Sequence, residues 1–227
     1  MNMISKLKGV GVVLLLFVAV YAPAFAAVAW LHHKHLWCGD KLGRLCPSVQ
    51  VTIPLIIIVS AGMALLFTAI LARGTKGIAE FGVAKSPTSY VIAAVLAGIV
   101  VGGALAYLAA RYPAPSPLDL SKLPSWSIFV FFILAAPVQE EFIFRGLLQT
   151  TMARAVSVQG SFWAVHFPVV FVAALFGVIH LGSGIVVAAG AILLGLIAGE
   201  LRRLSASLVP AILVHALFNA ASLWSTG

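Results

Sequence analysis

The chain has 227 residues, of which 62% are hydrophobic and 9% are charged. A soluble domain carries about a quarter charged residues, and the 14 Lys and Arg with 6 Asp and Glu present here cannot cover the surface of a water-soluble globule. The composition therefore excludes a soluble enzyme, a disordered chain and a coiled coil. The net charge of +8 is explained by the lysines and arginines that commonly flank membrane spans. We therefore expect no nucleic-acid partner.

Seven apolar stretches approach the length of about 20 residues that a helix needs to cross a bilayer. They lie at residues 9–31, 50–72, 88–110, 126–148, 165–183, 184–200 and 206–224. The runs are continuous rather than alternating, which favours helices over strands. The predicted fold is an all-α, polytopic transmembrane helix bundle. Because residues 184–200 are short and rich in glycine, we expect them to be buried among the other helices.

The lysines and arginines of the short loops predict the orientation in the membrane. With the N-terminus inside, eight lie in cytoplasmic segments and five in outer segments, leaving out Arg145 as too close to a span. We expect a cytoplasmic N-terminus, an outer C-terminus and, in a bacterium, the plasma membrane. The first stretch could instead be a cleaved signal peptide, since Ala24 and Ala26 fit a cleavage site. Its continuation to Leu31 favours a retained span.

The only two cysteines, Cys38 and Cys46, fall in the first predicted outer loop. An oxidising compartment would allow a disulfide that closes this loop, and two unpaired thiols are an equally weighted alternative. Four prolines between Tyr112 and Ser125 indicate a non-helical connection. This connection divides one membrane domain into the first three spans, in residues 1–125, and a core in residues 126–227.

The most informative residues are ionisable side chains inside apolar helices, where their energetic cost indicates function by default. Glu140 and Glu141 are adjacent in the fourth stretch, and Arg145 follows Glu141 at the i,i+4 spacing. Glu141 and Arg145 therefore share a helix face and can form an ion pair. Glu140 is rotated by about 100° and is left free to act as a general base. The alternative is a structural charge network at a helix end.

Two later stretches each present a pair at i,i+4 spacing, Phe176 with His180 and His215 with Asn219. Each histidine alone is better interpreted as a hydrogen-bonded core residue. Together with Glu140, these groups could converge on a polar cavity. A carboxylate and an imidazole can deprotonate water there, while an amide and a second imidazole stabilise an oxyanion. The sequence contains neither a G-x-S-x-G nor an H-E-x-x-H motif.

A metal-dependent alternative uses the same residues. Glu140, His180 and His215 form a set of two histidines and one carboxylate that could bind one Zn²⁺, with water in the fourth position. Glu141 would then have to serve as the base. The sequence leaves open whether the cofactor is one zinc ion or none.

These motifs resemble the type II CAAX prenyl endopeptidase and bacteriocin-processing (Abi) family of intramembrane proteases. The family pattern is E-E-x-x-x-R, then F-x-x-x-H, then H-x-x-x-N, and residues 126–222 carry all three in order. Ala-Pro before the glutamates and Phe-Arg-Gly after them fit as well. The resemblance implies a helical bundle with its active site inside the membrane.

The resemblance also implies hydrolysis of a peptide bond, with the first glutamate and first histidine activating water. The second histidine and the asparagine would stabilise the oxyanion. The implied catalytic residues are Glu140, His180, His215 and Asn219. The implied supporting residues are Glu141, Arg145 and Phe176.

The expected partner is a membrane-embedded or lipidated protein or peptide within the bilayer. A prenylated CAAX peptide requires a host that prenylates proteins, and a bacterial chain would instead trim a leader peptide or bacteriocin. The competing interpretation is a non-catalytic immunity or scaffold protein of the same fold, or a proton-coupled transporter, because intramembrane Glu and His also build proton relays. The sequence predicts no oligomeric state.

Overall fold

The computed structural model describes residues 3–33, 48–73, 77–111, 124–156 and 162–224. Within these ranges the regular structure is helical and no strand occurs. The predicted all-α, polytopic bundle is therefore confirmed. The predicted cysteine loop with Cys38 and Cys46, and most of the proline-rich connection, lie outside the described residues.

Seven helices run through the described part of the chain. They are α1 (Met3–His33), α2 (Ser48–Ala72), α3 (Thr88–Arg111), α4 (Ser125–Val156), α5 (Phe162–Ile179), α6 (Ile185–Ser205) and α7 (Val209–Trp224). Five of them, α1 to α4 and α6, are long and apolar enough to cross a membrane, while α5 and α7 contain shorter apolar segments. The chain is an integral membrane protein.

Several helix ends differ from the predicted stretches. Helix α4 continues past the predicted end at 148 to Val156. Helix α5 ends at Ile179 rather than 183, because a 3₁₀ turn follows and Gly184 adopts a φ of 103°, which only glycine takes readily. Helix α6 extends to Ser205 and ends where Ala206 is left-handed. Its buried share, 44%, is the largest of the five candidate spans, but Ile185 and Ile192 are exposed, so the helix is only partly buried among the others.

Small residues allow the helices to approach closely. Helix α3 packs along α7, and a Cβ added at Gly98 of α3 would lie 2.7 Å from the Leu217 Cβ. Helices α5 and α6 form a second extensive pair, and α1 packs on both α2 and the C-terminal part of α4. Close contacts through small side chains are how membrane helices associate without a hydrophobic driving force between them. The result is that α4 lies against elements from both halves of the chain.

A short 3₁₀ turn between α2 and α3, Gly77–Phe81, joins the ends of α4 and α6. The Arg154 Nε lies 2.9 Å from a Glu80 carboxylate oxygen, and Arg202 donates to the Glu80 carbonyl at 2.7 Å. Phe81 is fully buried, and Arg154 lies over its ring at 4.7 Å. This cluster fixes the ends of α4 and α6 relative to each other.

Candidate active site

Helix α4, which carries the two glutamates, is not a regular α-helix. Its segment Ala136–Glu141 is α-helical, whereas Phe129–Ala135 before it and Phe142–Leu148 after it are π-helical. Pro137 gives a physical reason for the first wide turn, because proline has no N–H and its ring clashes with the carbonyl four residues earlier. Wide turns of this kind are frequent at functional sites.

Glu141 lies at the centre of a buried charge cluster. Its side chain is fully buried, and one carboxylate oxygen accepts a hydrogen bond from the His215 Nδ1 at 2.7 Å. The other oxygen lies 3.1 Å from the Arg145 Nε, outside hydrogen-bond geometry, so that contact is an ionic attraction. Since a carboxylate only accepts, His215 carries a proton on Nδ1.

Arg145 is also fully buried, and aromatic rings surround it. Its guanidinium carbon lies 4.7 Å from the Phe176 ring centroid and 5.7 Å from that of Phe144. Both distances are within the range of a cation–π attraction. The buried positive charge is therefore stabilised by one carboxylate, that of Glu141, and by the faces of two rings.

Glu140 is the more accessible of the two glutamates, with a side chain that is 20% exposed. Its Oε2 lies 3.7 Å from the His215 Nε2. This separation is too long for a direct hydrogen bond, but a water molecule can bridge two polar atoms at such a spacing. The resemblance implies Glu140 and His180 as the water-activating pair, and the imidazole that lies 3.7 Å from Glu140 belongs to His215.

His180 lies immediately after α5 and joins the site through Phe176. Its Nδ1 donates to the Phe176 carbonyl at 2.8 Å, which leaves Nε2 as an acceptor. The Phe176 ring contacts both the His180 ring, at 4.6 Å, and the His215 ring, at 5.7 Å. One buried aromatic side chain therefore touches residues of all three motifs.

Asn219 follows His215 by one turn of α7 and is partly exposed. Its side-chain nitrogen Nδ2 donates to the Phe132 carbonyl at 2.8 Å. An amide nitrogen carries two hydrogens, so one N–H remains for another acceptor.

The predicted zinc ligands do not form a metal site as they are arranged. Two of them, Glu140 and His215, come within 3.7 Å of each other. Among the residues that the structure describes, however, no group of three His, Cys, Asp or Glu side chains could hold a metal ion. The set of Glu140, His180 and His215 therefore does not fit zinc in this arrangement.

A polar contact joins the first two helices to the site, and it was not predicted from the sequence. Gln139, next to Glu140, is buried and donates to the Ser60 hydroxyl at 3.0 Å and to the Tyr21 hydroxyl at 3.5 Å. The Tyr21 ring also contacts Phe144, with centroids 6.2 Å apart. The rule that flags intramembrane polar residues could have found Gln139, but no motif in α1 or α2 identifies its partners.

Comparison with known proteins bears on the second half of the chain. Residues 122–221 match the family model described as type II CAAX prenyl endopeptidase Rce1-like. No curated protein and no solved structure matches the chain. The matched segment includes α4 to α6, most of α7 and every predicted catalytic and supporting residue. The resemblance drawn from the motifs is thereby confirmed: residues 122–221 are similar to the type II CAAX prenyl endopeptidase Rce1-like family.

Proposed function

We propose that this protein is an intramembrane endopeptidase that hydrolyses a peptide bond of a membrane-associated protein or peptide. The observation that carries the proposal is the convergence of the three motifs. His215 lies between Glu140 and Glu141, and the Phe176 ring touches both imidazoles. The match of residues 122–221 to an endopeptidase family model supports the same chemistry.

Burial supports different roles for the two glutamates. Both oxygens of Glu141 are engaged, one by His215 and one by Arg145, and water does not reach its side chain. Glu140 is partly exposed and makes no contact as short as either of these. A general base must reach the proton that it removes. Glu140 is therefore the proposed base, and Glu141 holds His215 and balances the charge of Arg145.

In the first proposed step, water held by Glu140 and the free Nε2 of His180 attacks the carbonyl carbon of the substrate. A carbon–oxygen bond forms, the Glu140 carboxylate takes one proton of the water, and the carbonyl electron pair moves to its oxygen. His215, protonated on both nitrogens with Glu141 as its counter-charge, donates Nε2–H to this oxyanion. The second N–H of Asn219 donates to it as well.

In the second proposed step, the oxyanion re-forms the carbonyl and the carbon–nitrogen bond breaks. The proton held by Glu140 passes to the leaving nitrogen, so that one peptide product has a new carboxyl group and the other a new amino group. Glu140 returns to its ionised form. The only co-reactant is water, and no step passes through a metal ion.

The proposed substrate is one that reaches the site from within the bilayer. Glu140 and Glu141 belong to a helix that is long and apolar enough to span the membrane. A membrane-embedded or lipidated peptide is therefore favoured over a soluble one. The family description names a prenylated CAAX substrate, and a leader peptide is the alternative in a bacterial host. A cytoplasmic N-terminus and an outer C-terminus in the plasma membrane remain predictions from the loop charges.

Cleavage by the purified full chain in liposomes tests the proposal. Three fluorescent peptides are compared: one ending in a farnesylated Cys-a-a-X sequence, the same peptide without the lipid, and an apolar transmembrane leader peptide. Cleavage of the farnesylated peptide supports the CAAX class. Cleavage of the transmembrane peptide alone supports a leader-peptide protease. A wild-type chain that cleaves none of the three contradicts the proposal.

Matched variants show whether the cleavage comes from this protein or from a contaminating protease. We expect Glu140→Gln to lower the cleavage rate by about 10²–10⁴-fold, the usual contribution of a general base. Glu200→Gln is the control, because Glu200 pairs with His166 and Arg203 rather than with the predicted site. Equal cleavage by the wild type and the Glu140 variant would overturn the proposal.

A further inference from the structure

The Phe132 carbonyl lies in the wide turn of α4 that precedes the glutamates. In a regular α-helix this oxygen would accept from the N–H of residue 136, four positions later. The Ala136 N–H instead bonds the carbonyl of Phe131, five positions back. The next amide in this wider register belongs to Pro137, which has no N–H to give.

The Asn219 side chain supplies the hydrogen that the backbone of α4 does not. Its Nδ2 donates to the Phe132 oxygen at 2.8 Å. A carbonyl without a donor inside an apolar bundle is energetically expensive, so this hydrogen bond stabilises the contact between α4 and α7. It also fixes the rotation of the amide, and thereby determines which of its two N–H groups is left for another acceptor.

We propose that Pro137 is a positioning residue for Asn219. Because Pro137 has no N–H, the Phe132 carbonyl stays available and holds the amide in one orientation. The geometric part of this inference is independent of the enzyme's activity. Its catalytic part rests on the proposed function, in which the remaining N–H of Asn219 stabilises the oxyanion.

Pro137→Ala is the direct perturbation. It adds an N–H five positions after Phe132 and removes the ring that opposes a tighter helix. The backbone then competes with Asn219 for the same oxygen, and the amide loses its fixed orientation. We expect a lower kcat with little change in KM, since oxyanion stabilisation acts in the transition state rather than in substrate binding.

The side-chain amide of Asn219 can be observed without any substrate. The chain has two asparagines, Asn2 and Asn219, so ¹⁵N-asparagine labelling in lipid nanodiscs yields two side-chain amide nitrogens, each with two proton signals. The Asn219→Ala spectrum assigns them. We expect one Asn219 proton to be shifted downfield in the wild type and to return towards the position of a free amide in Pro137→Ala. Pro54→Ala, which changes a proline of α2, is the control and should shift nothing.

Two results would overturn the inference whatever the activity is. One is a wild-type Asn219 amide without a hydrogen-bond shift, which requires no variant to fold. The other is a shift that persists in Pro137→Ala. The expected shift in a chain that cleaves no peptide would instead leave the positioning intact and remove the proposed function.

A double-mutant cycle with the farnesylated peptide tests the catalytic part. If Pro137 acts through Asn219, Pro137→Ala in the Asn219→Ala background should lower kcat no further. Fully additive losses would show that Pro137 affects the site by another route.

Discussion

Glu141→Gln should destabilise the protein strongly, although it removes only one charge. The carboxylate and its partner Arg145 are both fully buried, with 3.1 Å between Oε2 and Nε. Removing one partner of a buried ion pair leaves an uncompensated charge and costs about 3–5 kcal/mol. The bond from His215 to a neutral amide is weaker as well, by about 1 kcal/mol. Total stabilities are about 5–15 kcal/mol, so we expect a loss of about a quarter or more.

The same substitution one residue earlier is the matched control. Glu140 is 20% exposed and lies 3.7 Å from the His215 Nε2, too far for a direct hydrogen bond. We expect Glu140→Gln to change the unfolding free energy by less than about 1 kcal/mol, a typical value for a partly exposed ionic contact, while it lowers the cleavage rate by about 10²–10⁴-fold. The two substitutions should therefore have different effects: Glu141→Gln mainly lowers stability, and Glu140→Gln mainly lowers activity.

The assay is reversible unfolding in mixed micelles, followed by circular dichroism as the fraction of sodium dodecyl sulfate rises. A third variant tests the cause, because Glu141→Gln combined with Arg145→Met removes both charges. We expect the double variant to be less destabilised than the sum of its single variants. Equal stability of the two single glutamate variants, or simple additivity in the double variant, would refute the reasoning.

Three further predictions concern the oxyanion site, the packing around Arg145 and the metal. Asn219→Ala should lower kcat by about 10²–10³-fold, the usual loss on removing one oxyanion donor, and an unchanged kcat would exclude that role. Gly195→Ala should destabilise the protein by about 1–3 kcal/mol, because the new Cβ would lie 2.9 Å from the Ala173 Cβ and 3.1 Å from the Arg145 Nη2. Gly103→Ala is the control, because the space around Gly103 is open. Similar unfolding midpoints for the two variants would contradict close packing around Gly195. A strong chelator should leave cleavage unchanged, and a loss that zinc restores would show that a metal takes part.

The positions of the helices were predicted well because they depend on the local sequence. An apolar run of sufficient length has few alternatives in a bilayer, and the i,i+4 spacing of Glu141 and Arg145 places them on one face in any helix. The helix ends were predicted less well. The end of α5 depends on the positive φ of Gly184, and the extension of α4 to Val156 depends on its packing against α1.

The contacts between motifs could not be read from spacing. Whether His215 lies nearer to Glu140 or to Glu141 depends on how α7 is rotated against α4. The close approach of Gly98 in α3 to Leu217 in α7 helps to set the position of α7. The contacts of Gln139 with Ser60 and Tyr21 join residues far apart in the chain. The hydrogen bond between Asn219 and the Phe132 carbonyl requires a wide turn in α4, which no periodicity in the sequence predicts.

The most direct test of the central claim, that Glu140 activates water for peptide hydrolysis, is cleavage of the farnesylated peptide in water enriched in heavy oxygen. Mass spectrometry then reads the new carboxyl group. We expect one heavy oxygen atom in that group for the wild type, and a rate of product formation lower by about 10²–10⁴-fold for Glu140→Gln. Product without the heavy atom, or product formed equally fast by the variant, would contradict the claim.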